Sequence, residues 1–341
     1  MEKSFQKYTT ILCLVTLLSE SIAQNPRFVL PTSNDWIYKP GGLEHFLVGT
    51  DGKPYTTGGF GCVRTDGLQF HEGVDIKYTS LNSKGEPTDP VVAVAPGVVA
   101  YVNSTPGLST YGKYILIQHK IDGVELYSLY AHLAKIESNL RPGTPVSAGQ
   151  VIGLMGRTAS TYRIPKERAH LHFEFTLLVN DYFPIWFKHN CPGERNDHGV
   201  WNGQNLLGIN PIPIFLNDLY NTHAFNLADF LKNQPQLCRV QVRCKRFPWL
   251  KRYPFFIKQS NMPEELIAGY ELGLTFNGIP VEIVPKTEHE LVSPSKVHLI
   301  SVNETELPKK YPVVKLVRRH GGKWQLTQAG YKHVALLTYT P

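Results

Sequence analysis

Thirteen histidines occur in the 341-residue chain, and four of them fall where spacing could do chemistry. His71 and Asp75 stand four apart in FHEGVD, with Gly73 between them. His132 ends the apolar run YSLYAHL, and His170 and His172 stand two apart in AHLHFEF. On a β-strand, side chains two apart share a face, so His170, His172 and Glu174 point one way while Leu171, Phe173 and Phe175 point the other. Two imidazoles converging from one strand face suit a metal, because neutral imidazole nitrogen is a good zinc ligand. The Asp75 carboxylate and the His71 imidazole would complete a His-Asp-His set. Three protein ligands leave a tetrahedral ion one position for water, the arrangement of a catalytic site. Each piece alone is common; the conjunction carries the signal.

His71-Glu72 followed by Asp75 also resembles the HExxH helix of another class of zinc peptidase, in which Glu72 would be the general base. Gly73 and the β-branched Val74 disfavour a helix there, and a strand-borne His-x-His has no place in that scheme. Glu72 is therefore read as a bystander.

The elements that must position these residues are short and β-rich. Residues 90–102 read as two strands joined at Pro96-Gly97. Residues 113–120 and 124–133 flank Asp122-Gly123, the strongest hairpin signal in the chain. Residues 145–156 read as a strand pair with a Gly-containing turn, and 169–179 as a longer strand. NPIPIF (210–215) is too rich in proline for a central strand and is expected to close the domain along an edge. Residues 217–232 have helical spacing, with Leu219, Phe225, Leu227, Phe230 and Leu231 as the apolar set. A basic, aromatic stretch from Arg239 to Lys258 follows. The expected organisation is a lead-in at 24–58, a β domain at 59–217 and a separate, β-rich module at 218–341.

The first 23 residues read as a secretory signal: Lys3 and Lys7, then an apolar stretch from Ile11 to Leu18, then Ser21-Ile22-Ala23. An exported protein, periplasmic or secreted, follows. No apolar run approaches the ~20 residues of a membrane-spanning helix. The formal net charge is +7, which could draw the protein to cell-wall polyanions, with a solvated basic surface as the plain alternative. Export argues against nucleic acid as a partner. Cys62, Cys191, Cys238 and Cys244 could form two disulfides in an oxidising compartment, and Cys238 and Cys244 are close enough in sequence to suggest a bridge.

Taken in order, GFGCVRTDGLQFHEGVDI, PVVAVAPGVVAYV, YGKYILIQH, YSLYAHL, VSAGQVIGLMGRT, AHLHFE and INPIPIFL resemble the lysostaphin-type, LytM-like zinc endopeptidases that cleave peptidoglycan peptides. The resemblance runs from about Gly59 to Leu216. It implies a mainly β fold, the duplicated hybrid motif, with one Zn²⁺ held by His71, Asp75 and His172. It places the two non-ligand histidines of the family at His132 and His170. In the mechanism implied, His170 takes the proton of the attacking water, and His132 binds the oxyanion or protonates the leaving amine; the sequence leaves the division between them open. Arg64 is a candidate for binding a substrate carboxylate, with an exposed salt bridge as its ordinary alternative. Two departures stand out. The loop at 157–170 is long and carries Arg163, Lys166 and Arg168. An insertion at about 180–208 contains His189, Cys191 and His198, readable as a second metal site or as a disulfide beside ordinary loop histidines. The alternative to an enzyme is a regulator or scaffold that keeps the fold and activates another wall hydrolase; the presence of all five site residues favours the enzyme.

Overall fold

The computed structural model describes residues 26–162, 164–307 and 316–341. The expected signal segment and Arg163 lie outside the described residues. In chain order the strands are β1 (Gly61–Arg64), β2 (Gln69–His71), β3 (Val74–Lys77), β4 (Pro90–Val92), β5 (Gly97–Asn103) and β6 (Tyr114–Ile121). Then come β7 (Val124–Ala131), β8 (Lys135–Ile136), β9 (Pro145–Val146), β10 (Val151–Leu154), β11 (His170–Leu178) and β12 (Leu206–Ile209). The C-terminal segment adds β13 (Cys238–Val242), β14 (Gly269–Leu274), β15 (Pro280–Lys286), β16 (Val297–Val302), β17 (Val317–His320) and β18 (Lys323–Leu326). Helices are few: α1 (Leu43–Phe46), α2 (Phe183–Asn190), α3 (Pro211–Tyr220), α4 (Leu227–Lys232), α5 (Pro248–Arg252) and α6 (Gln328–Leu337). None of them is long and apolar enough to cross a membrane.

The principal sheet runs β12-β11-β7-β6-β5-β9, with β3 also paired to β11. The C-terminal sheet runs β15-β14-β13-β16. All these named strands pair antiparallel. This is the expected mainly antiparallel β architecture with a strand-rich extension. The hairpin at Asp122-Gly123 forms as its residues dictate: both take positive φ, 49° and 80°, and Ile121 pairs with Val124. Such a two-residue turn matches the right-handed twist of the strands it joins.

One face of the principal sheet packs into the main core through Ile115, Ile117, Tyr130, Leu171, Phe173, Phe175 and Leu177. The lead-in belongs to that core, since Phe28, Ile37, Phe46 and Leu47 are buried in it. It is fastened as well as packed. Arg27 reaches Asp122 and Asp218, and the Phe28 amide donates to Asp218. The same core continues into the C-terminal segment through Val240, Val242, Trp249, Tyr253 and Leu272. A Tyr253 hydroxyl accepting from the Leu178 amide joins that segment to β11.

Several local expectations are corrected. NPIPIF forms the start of α3 rather than an edge strand. The Asn210 side chain accepts from the Ile212 amide and Pro211 takes the first turn, where its missing N–H has no partner to lose. The helical spacing at 217–232 is broken between α3 and α4. Residues 145–156 give two strands, but β9 joins β5 while β10 joins β4 and β8, so they do not pair with each other. Cys191, Cys238 and Cys244 are thiols. Cys238 opens β13 and Cys244 lies two residues past its end; the strand alone carries the chain roughly 13 Å from Cys238 to Val242, whereas a disulfide needs Cα atoms within about 7 Å. In the basic stretch, Arg239 pairs with Glu271 and Glu282, Arg243 with Glu288, Arg246 with Glu264, and Arg252 with Glu125 and Asp181. Its aromatics Phe247, Trp249, Tyr253 and Phe256 are buried, so the aromatics of the stretch belong to the core and its four arginines are paired.

Candidate metal centre

Strand register assembles the centre. β3 and β11 pair so that Asp75 lies opposite His172, and His172 lies opposite Ala131 at the end of β7. The close approach of β2–β3 to β11 requires glycine at 73, where a Cβ would fall 2.2 Å from the Phe173 carbonyl oxygen. The HEGVD segment is accordingly strand–turn–strand, not helix. His71 ends β2, and His132 follows β7 with a φ of 61°, a conformation that non-glycine residues adopt at special sites. His132 is half-buried, whereas His71, Asp75, His170 and His172 are buried.

The proton on each imidazole is fixed by a partner outside the centre. His71 Nδ1–H donates to the Gly59 carbonyl at 2.7 Å, which leaves the lone pair on Nε2. His172 Nε2–H donates to Glu174 Oε1 at 2.8 Å, which leaves the lone pair on Nδ1. His71 Nε2 and His172 Nδ1 are 2.9 Å apart. Asp75 Oδ1 lies 3.2 Å from the first and 3.1 Å from the second. Three electron-pair donors thus face one another. A tetrahedral ion ~2.0–2.2 Å from each ligand needs ligand atoms about 3.3 Å apart, so the set fits a divalent metal. Among the described residues, His71, Asp75 and His172 are the group able to hold one. His189, Cys191 and His198 do not converge; His198 instead bonds Tyr101 and the Leu108 carbonyl, and the Cys191 thiol accepts from Lys332.

His170 Nδ1–H donates to the Arg168 carbonyl at 2.6 Å, and His132 Nδ1–H to the Thr158 carbonyl at 2.8 Å. Each therefore presents an unprotonated Nε2. His170 Nε2 is 3.4 Å from Asp75 Oδ1, and the His132 and His170 rings are 4.8 Å apart. Burial, only partly opposed by Asp75, lowers the His170 pKa to about 4. Burial and the neighbouring histidines hold His132 well below its ordinary value. Burial also disfavours charge on His172, but hydrogen bonds to Asp75 and Glu174 outweigh it and raise its pKa to about 9; without an ion Nδ1 therefore shares a proton with Asp75, which a divalent metal would displace on binding. For Asp75 burial acts upward, yet its interactions with His170, His71 and the Arg64 guanidinium hold the carboxyl well below the usual range.

Three neighbours complete the surroundings. Glu174 also accepts from the Tyr111 hydroxyl at 2.7 Å, and the Tyr111 ring lies 5.4 Å from that of His172. The strand parity that grouped Glu174 with His170 and His172 already pointed to it, whereas Tyr111 had no sequence signal. Arg64 turns inward: its Nη2 donates to Asp75 Oδ2 and lies 2.8 Å from His71 Nε2.

The centre is thus a His-Asp-His set on paired strands with two further histidines, His132 and His170, beside it. Residues 69–182 match the model of Peptidase family M23, in agreement with the lysostaphin-type resemblance of the motifs. Among solved structures, a Ruminococcus gnavus chain assigned as a glycyl-glycine endopeptidase LytM is 26% identical, with a TM-score of 0.28, covering 42% of this chain and 45% of that one. A zinc-containing peptidase from Vibrio cholerae is 27% identical, with a TM-score of 0.27, covering 39% of this chain and 34% of that one. The catalytic domain of lysostaphin from Staphylococcus simulans is 21% identical, with a TM-score of 0.31, covering 54% of this chain and 98% of that one. This chain spans less than half the length of the first two. No curated protein matches it.

Proposed function

We propose that this protein is an exported zinc metalloendopeptidase that hydrolyses peptide bonds in peptidoglycan, at stem peptides or cross-bridges. The observation that carries this reading is the convergence of His71 Nε2, Asp75 Oδ1 and His172 Nδ1 with every imidazole proton tied elsewhere. Zinc, when bound, supplies Lewis acidity and an acidified water. His170 Nε2, unprotonated near neutral pH, accepts the proton of the attacking water. His132, held by Thr158, turns its Nε2 to the oxyanion or the leaving amine. On this reading residues 59–217 carry the peptidase unit, and residues 218–341 are a module that packs against it.

The second reading, a non-enzymatic regulator, is favoured by Arg64, whose Nη2–H points at the His71 lone pair that a metal needs. One experiment separates the two. The purified mature chain is assayed for zinc content and muropeptide release, with and without chelator. Near one zinc per chain, with release that chelation stops and zinc restores, supports the peptidase. No metal uptake by the wild type, with uptake by Arg64→Ala, supports the regulator.

A further inference from the structure

Alternation along β11 puts Thr176 and Leu178 on the face that carries His172 and Glu174. The register extends that face across the sheet, because His172 pairs with Ala131, Glu174 with Leu129, and Leu129 with Leu116. A substrate running from the metal centre along this face would lie over Leu129, Leu116, Tyr127 and Tyr114. All four are buried, in an apolar cluster separate from the main core. The covering atoms come from the segment preceding β12. Trp201 lies on Tyr127 with ring centroids 5.3 Å apart. His198 accepts from the Tyr101 hydroxyl at 2.9 Å and donates to the Leu108 carbonyl at 3.0 Å, and its ring lies 5.5 Å from that of Tyr114. Gly203 is seated on Tyr111, since a Cβ there would stand 3.3 Å from that ring. Asn205, fully buried, fixes the segment by donating to the carbonyls of Asn180 and Val200. Beyond Thr158, whose carbonyl accepts from His132, a cleft of about 690 Å³ is lined by Ala134, Gly156, Arg157, Thr158 and Tyr162.

We propose that residues 198–204 roof one side of the metal centre and restrict its substrates to peptides that end within about one residue of the scissile bond on that side. The proposal rests on the peptidase reading and deepens it. A chain leaving the centre towards Tyr111 meets Gly203 and the aromatic packing beneath Trp201, whereas a chain leaving past His132 and Thr158 runs towards that cleft. The substrate class is then the terminal bond of a stem peptide, or a short branch, in preference to the interior of a long bridge.

The test uses the wild-type, zinc-loaded protein and a muropeptide-derived tetrapeptide extended by one to four glycines at either end. Turnover is measured for every peptide, and binding by calorimetry. Extension at one end is expected to leave kcat/KM within about threefold, and extension at the other to lower kcat/KM and affinity at least about a hundredfold. His198→Ala, outside the catalytic machinery, is expected to recover about tenfold of that loss with metal content unchanged. Equal tolerance at both ends, or collapse at both, overturns the roof. Absence of turnover with every peptide overturns the peptidase reading instead, and the length dependence of binding still decides the roof.

Discussion

His172 gives up Nε2 to Glu174 and keeps Nδ1 for a ligand, so the carboxylate sets which nitrogen faces the centre. Partners of this kind orient metal-ligating histidines and raise their basicity. Glu174→Gln is expected to weaken zinc affinity by about 10- to 100-fold, read by competition with a chromogenic chelator. His172→Ala removes one of the three proposed ligands, and its zinc content after dialysis is expected to fall to background. His132→Ala and His170→Ala should retain the metal and lose about two orders of magnitude in turnover; full activity in either variant would remove that residue from the mechanism. At this scale the sequence was highly legible, because strand parity alone grouped His170, His172 and Glu174. Tyr111 and the inward turn of Arg64 were not legible, since both arise from contacts between segments far apart in the chain.

At the scale of elements, the centre depends on β3 lying tightly against β11. Gly73→Ala would place a methyl group against the Phe173 carbonyl, and overpacking against backbone costs roughly 3 kcal/mol. A lower chemical-denaturation midpoint together with reduced zinc retention would show that register and site fail jointly. Residues two apart and turn pairs such as Asp122-Gly123 are local signals, so the strands and the central hairpin could be read in advance. The proline-rich start of α3 was misread because its count of prolines suits an edge strand as well as a first helical turn. Only the Asn210 cap distinguishes the two. The division of β9 from β10 between two sheets depends on which distant strand each meets, and no local pattern encodes that.

For the whole molecule, stability is expected to depend on pH through histidines remote from the centre. His119 donates to the Pro96 carbonyl and its Nε2 lies 2.7 Å from the Ser128 hydroxyl, and His333 donates to the Gly278 carbonyl. Burial lowers the pKa of both below the ordinary 6.5. The unfolded chain therefore binds more protons than the folded one just below pH 6.5, and stability rises with pH in that window. Denaturation midpoints should fall on acidification from about pH 7 to pH 5, and His333→Gln, which keeps a donor for Gly278, should flatten that slope. An unchanged slope would place the pH dependence elsewhere.

The attachment of the lead-in has a consequence for how this protein could be switched on. Many exported peptidases are held silent by a leading segment that is later cut away. Here the corresponding stretch contributes Phe28, Ile37, Phe46 and Leu47 to the interior and is clasped to Asp218 through Arg27 and the Phe28 amide. A nick in the exposed turn near Asp51 and Gly52 should leave both pieces together through gel filtration, and stripping the piece away should unfold the protein instead of activating it. The leading residues are a keystone of the fold.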